Sequence, residues 1–151
     1  MIQRIQTVYL ALAVILLVLC CCMPLAQFEP IGMGKPAVLY SLVLIGGNGI
    51  IESYLPVSLL FIIVAAEIIL ALSIFTYKNR KRQIWICKVA MFLELLWLLG
   101  YALILYLFSD NYTPHASIGA SFPLMAMILT FMAKMAIIKD ENLVRSADRI
   151  R

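Results

Sequence analysis

The chain alternates between long runs almost free of polar residues and short segments that hold nearly all of them. Four runs reach the length a bilayer demands, about 20 apolar residues. They are 5–23 ("IQTVYLALAVILLVLCCCM"), 55–77, 84–108 and 122–138 ("FPLMAMILTFMAKMAII"). Barrel strands would be about ten residues long and alternate in polarity. None of these runs alternates, so the pattern predicts helices. Pro24 closes the first, and Pro56 stands in the opening turn of the second. Ser121 ahead of Phe122 and Pro123 reads as the N-cap of the fourth. The expected fold is a single all-α domain over 1–151, a four-transmembrane-helix bundle with a tail at 139–151.

The polar segments differ in character. Residues 24–54 hold "EPIGMGKP", then the β-prone run "AVLYSLVLI" at 37–45, then "GGNG" and "IIESYL". Two apolar runs around a Gly/Asn turn predict a small β-hairpin, lying over the ends of the helices. A re-entrant segment is the competing reading. Residues 78–83, "KNRKRQ", predict a tight helical hairpin between the second and third spans. The segment 109–121 reads as a loop.

Composition agrees with the pattern. The chain is 64% hydrophobic and 13% charged, against about half and about a quarter in soluble domains. A soluble fold of this size would bury only about two-thirds of its surface, too little for so much Leu, Ile and Val. Lipid is the expected solvent and first partner. Charge then sets orientation. Arg4, Lys78, Arg80, Lys81, Arg82, Lys139, Arg145, Arg149 and Arg151 flank one side, and Lys35 stands alone on the other. Basic flanks stay cytoplasmic, so both termini and the 78–83 turn are expected inside. The net charge of +4 is accounted for by this rim beside anionic lipid, with no nucleic acid invoked. A cleaved signal peptide at 5–23 fits less well, because its apolar core is too long and the site near Ala26 is poor.

The two ends, "MIQRIQTVYL" and "KDENLVRSADRIR", resemble a bacterial family of small four-span membrane proteins known as domain of unknown function 4293. The resemblance runs the length of the chain. It implies a place in the bacterial cytoplasmic membrane. It implies no activity, cofactor or site residue.

Candidate chemistry lies mostly inside the spans. Glu67 and Glu94 are equally far from the centre of the 78–83 turn, about 20 Å along the helix axis. Lys134 falls within about one turn of that level. Ionised groups there cost about 2.5–3.5 kcal/mol each on insertion scales, so all three are expected to point inward. One reading is a proton- or cation-handling pair, with Glu67 facing Glu94 and at least one protonated. The other is polar glue between helices, with Lys88 and Lys134 snorkelling to the basic end. Cys20, Cys21, Cys22 and Cys87 include no C-x-x-C pair, and His115 is the lone histidine. No metal, cofactor or catalytic set is expected. In the tail, Leu143, Ala147 and Ile150 share one helical face, suited either to lipid headgroups or to docking a protein partner. The leading functional expectation is a non-enzymatic accessory or scaffolding subunit, acting with a protein partner or as a homo-oligomer. The alternative is a small transporter or channel component that uses Glu67 and Glu94.

Overall fold

The computed structural model describes residues 3–32, 34–76, 79–110 and 112–148. Four helices dominate it: α1 (Gln3–Cys22), α2 (Val57–Phe75), α3 (Arg80–Phe108) and α4 (Phe122–Asp148). Each is long and apolar enough to cross a membrane. They run up, down, up, down, and each packs on its two neighbours in a closed ring: α1 on α2 and α4, α3 on α2 and α4.

The contact faces follow one rule. α1 buries Gln6, Leu10, Ala13, Leu17 and Cys20; α2 buries Leu59, Ile63, Ala66, Leu70 and Ser73. α3 buries Gln83, Cys87, Ala90, Glu94, Trp97, Tyr101 and Ile104, and α4 buries Ala126, Thr130, Ala133, Ile137 and Asp140. Every step is three or four residues, in alternation, which is the seam of a coiled-coil-like bundle. Small residues recur along these seams and let the helix backbones approach closely. The outer surface stays apolar: Phe61, Phe75, Leu99 and Tyr106 are all well exposed.

The connections differ from expectation in two places. α3 begins at Arg80, so Arg80, Lys81 and Arg82 form its first turn and the reversal is confined to 76–79. Asn79 caps it, its side chain accepting from the Arg82 amide. Ser121 does not cap α4. It ends a short 3-10 turn, Ile118–Ser121, that runs straight into α4, and its hydroxyl donates back to the Ile118 carbonyl (2.7 Å).

At the end away from the 76–79 turn sits an antiparallel sheet of five short strands. They are β1 (Ala26–Pro30), β2 (Ala37–Leu39), β3 (Leu44–Ile45), β4 (Ile51–Ser53) and β5 (Tyr112–Ala116), in the order β4-β3-β2-β1-β5. The expected hairpin is present as β3–β4. Gly49, at φ +73°, supplies the left-handed turn residue. The run 37–45 is not one strand, however. The Tyr40 amide bonds the Val43 carbonyl (2.9 Å) and folds it into β2 and β3. β5 comes from the segment read as a loop and pairs with β1 along its whole length.

The sheet is curled. Four intervals of about 4.8 Å would hold the edges of a flat five-stranded sheet about 19 Å apart. Yet the hydroxyl of Tyr112, on one edge, reaches both oxygens of Glu52 on the other (3.2 and 3.1 Å). Burial, and then the Glu52 carboxylate, push the Tyr112 hydroxyl above its ordinary range, so it stays a donor. The inner face carries Ala26, Phe28, Ala37, Leu39 and Leu44. Phe28 meets the rings of Phe108 and Tyr112 edge-on, fixing the sheet against the last turn of α3. The sheet also sits on the ends of α1 and α4. Ser41 donates to the Cys20 carbonyl, and Tyr101 donates to the Leu25 carbonyl (3.0 Å). Gly119 lies so close that any Cβ there would strike the Pro24 carbonyl oxygen.

Candidate functional site

The polar groups inside the bundle form two layers. The upper layer holds the two acids singled out by sequence. Ser73 touches Cys87, and Leu59 abuts Gly100. These contacts place Glu67 and Glu94 within about two residues, or 3 Å, of the same depth. Equal depth does not bring them together. The Cα–Cβ bonds of a helix tilt toward its N-terminus, and α2 and α3 are antiparallel. Glu67 therefore reaches toward the sheet and Glu94 away from it.

Their partners follow. Glu67 is half-buried and accepts a hydrogen bond from the thiol of Cys21 (3.6 Å), next to the end of α1. It sits beside the buried seam of α2, whose members are Ala66 and Leu70. Glu94 is 1% exposed and in the seam of α3, and its Oε1 lies 3.4 Å from the Thr130 hydroxyl of α4. Glu67 thus ties α2 to α1, and Glu94 ties α3 to α4. No hydrogen bond joins the two carboxyl groups.

Around Glu94 the chemistry is incomplete. Its Oε2 and the indole Nε1 of Trp97 are both buried and without a hydrogen-bond partner. They stand three residues apart on one face of α3. The Thr130 hydroxyl also donates to the Ala126 carbonyl at the shorter distance of 2.9 Å. A hydroxyl has one hydrogen and two lone pairs, so the lone pairs of Thr130 remain open to an acid proton on Glu94. Trp97 in turn stacks flat on Tyr101 (5.5 Å, 8°), which links this layer to the sheet.

The Lys134 ammonium lies 5.0 Å from the centre of the Phe131 ring, whose face offers a cation–π contact. No ion pair links it to Glu67 or Glu94. Lys88 is exposed.

The lower layer was not singled out from sequence. The Gln6 side-chain amide donates to a carboxylate oxygen of Asp140, and both residues are buried. This ties the start of α1 to α4. The other oxygen, Asp140 Oδ1, is buried and unpartnered. Arg80 reaches across from α3 to the Asp140 carbonyl (3.1 Å), and Gln83 donates to the Ser73 carbonyl (3.2 Å). A signal for these residues was present. Gln83 and Glu94 are eleven apart, and Thr130 and Asp140 ten apart, which are seam spacings built from threes and fours.

The remaining candidates are peripheral. His115 is exposed and pairs with Glu29 across β1 and β5 (3.6 Å), a surface contact worth little. Cys20 and Cys87 are buried, Cys21 is half-buried, Cys22 is exposed, and all four are free thiols. In the tail, α4 continues to Asp148 and Leu143 is exposed. The side chain of Ala147 and all of Ile150 lie outside the described residues, as do Lys78, Arg149 and Arg151.

The family model described as Domain of unknown function (DUF4293) matches residues 2–150. No curated protein matches the chain. The chain therefore belongs to the DUF4293 family.

Proposed function

We propose that this member of the DUF4293 family is a non-enzymatic accessory or scaffolding subunit, multi-pass in the bacterial cytoplasmic membrane. Both termini and the 76–79 turn lie in the cytoplasm, and the sheet lies outside. One observation carries the functional reading. The polar side chains inside the bundle each tie one helix to a neighbour or to the start of the sheet: Cys21 to Glu67, Thr130 to Glu94, Gln6 to Asp140, Tyr101 to Leu25. Such ties build a rigid span. The extension of α4 past Asp140, with Leu143 exposed, offers a partner a short cytoplasmic handle.

The direct experiment is affinity capture in mild detergent followed by mass spectrometry, comparing the whole chain with one ending at Asn142. The cut must fall after Asp140, because that residue is buried against Gln6. A stoichiometric protein partner of the whole chain, lost on truncation with the fold intact, is expected. Unchanged capture would remove the tail from the interface. For orientation, cysteines introduced at Arg80 and Ser146 should react only with permeant reagents in intact cells. One at His115 should be labelled from outside. External labelling at position 80 would reverse the orientation.

The transporter reading has one observation of its own, the unpartnered Glu94 Oε2 beside the unpartnered Trp97 Nε1. Glu94→Gln separates the two, because Gln keeps the shape and hydrogen bonding but cannot titrate. Under the scaffold reading, Glu94→Gln leaves stability and cellular function unchanged. Proton-coupled solute flux that disappears in this variant, with stability preserved, would favour the transporter.

A further inference from the structure

At the basic end of the bundle the outer surface between α1 and α4 is concave. A groove of about 510 Å³ runs there, with Ile5 and Tyr9 on one wall and Phe131, Met132, Met135 and Lys139 on the other. Ala136 is the smallest lining residue and opens the space between the walls. The volume lies in the range of ligand sites, about 300–1,000 Å³. We propose that the groove seats one anionic phospholipid, with an acyl chain between α1 and α4 and the headgroup phosphate against Lys139. The proposal rests on the membrane reading given above.

The order of chemistry along the groove carries the inference. Among the described residues Lys139 is the only charged one lining it, and it stands at the rim. Phe131, at the inner end, is eight residues closer to the sheet, about 12 Å along the axis. A phospholipid has the same order along its length, anionic phosphate at the membrane surface and hydrocarbon inward. Its phosphate matches the cation that a purely apolar partner helix would leave uncompensated. The walls suit a chain. Met132 and Met135 are unbranched and adaptable, and Tyr9 offers an apolar ring with a polar tip for the interface. Basic pockets between spans on the cytoplasmic side favour anionic lipid in this way.

The test is native mass spectrometry of the chain released from nanodiscs of phosphatidylcholine with a minor fraction of phosphatidylglycerol, the two lipids having identical acyl chains. The wild type is expected to retain one phosphatidylglycerol preferentially. Lys139→Gln should lower that preference about fivefold, the effect of one cation at an anionic surface, while Lys81→Gln leaves it unchanged. Ala136→Trp fills the groove and should abolish retention, with helicity and thermal midpoint recorded. Met132→Trp serves if Ala136→Trp does not fold. Equal retention of both lipids, retention that persists with the groove filled, or a co-purified protein that alone disappears with Ala136→Trp would each overturn the seat. Failure of the folded chain to enter the nanodisc would overturn the membrane reading itself.

Discussion

Trp97→Ala is expected to lower the stability of the bundle by about 3–5 kcal/mol, the usual cost of emptying a buried aromatic site. Trp97 is 1% exposed and heads the largest fully buried side chains. Its ring lies flat on Tyr101, and the Tyr101 hydroxyl holds the Leu25 carbonyl where α1 gives way to β1. The substitution therefore opens a void in the α3 seam and loosens the seat of the sheet. Denaturant titration in detergent, followed by circular dichroism, gives the magnitude. Two milder variants grade the effect. Tyr101→Phe removes only the hydrogen bond and should cost about 1 kcal/mol, while Trp97→Phe should fall between. A Trp97→Ala protein as stable as wild type would show that α3 does not pack on this face.

Gln6→Leu is expected to cost about 3 kcal/mol, at the upper end for stranding a buried acceptor. Gln6 is the hydrogen-bond donor to the buried Asp140 carboxylate, whose other oxygen already lacks a partner. Removing the amide leaves the whole group without a side-chain donor in a dry setting. The double variant Gln6→Leu with Asp140→Leu should recover most of the loss, because an apolar pair of similar size carries no stranded polar atom. Asp140→Asn should be tolerated, since its amide can still accept from Gln6. Thermal unfolding of the wild type, these three variants and Asp140→Leu alone, in one detergent, decides the matter. A double-variant loss equal to the sum of the Gln6→Leu and Asp140→Leu losses would mean the two residues do not interact.

Both predictions concern seam residues, and the seam was only partly legible beforehand. In a soluble helix the apolar stripe marks the inside. Here Leu, Ile and Phe occupy the outside as well, as Phe61, Ile68 and Phe75 do on α2, so apolar periodicity carries no information about facing. Polar residues carry it instead. Glu94 and Thr130 mark the seams of α3 and α4. Glu67 is an exception, as Lys88 and Lys134 are, polar but beside its seam and satisfied by a thiol rather than by a buried pocket.

The linear sequence was enough to determine what depends on local composition. It placed four apolar helices, the glycine turn of β3–β4 and the basic cluster at one end, because helix length, hydropathy and turn chemistry are properties of short stretches. Three features needed the tertiary structure. The direction of each carboxylate depends on the polarity of its helix, so residues at one depth on antiparallel helices diverge. The joining of β5 to β1 pairs residues more than eighty positions apart, and no local pattern in "YTPHA" names its partner. The burial of Gln6 and Asp140 depends on the first helix closing the ring against the last. Residue 6 acquires its neighbour at residue 140 only when the whole chain has folded, which is why the sequence does not single out these two polar residues and yet they prove to be core.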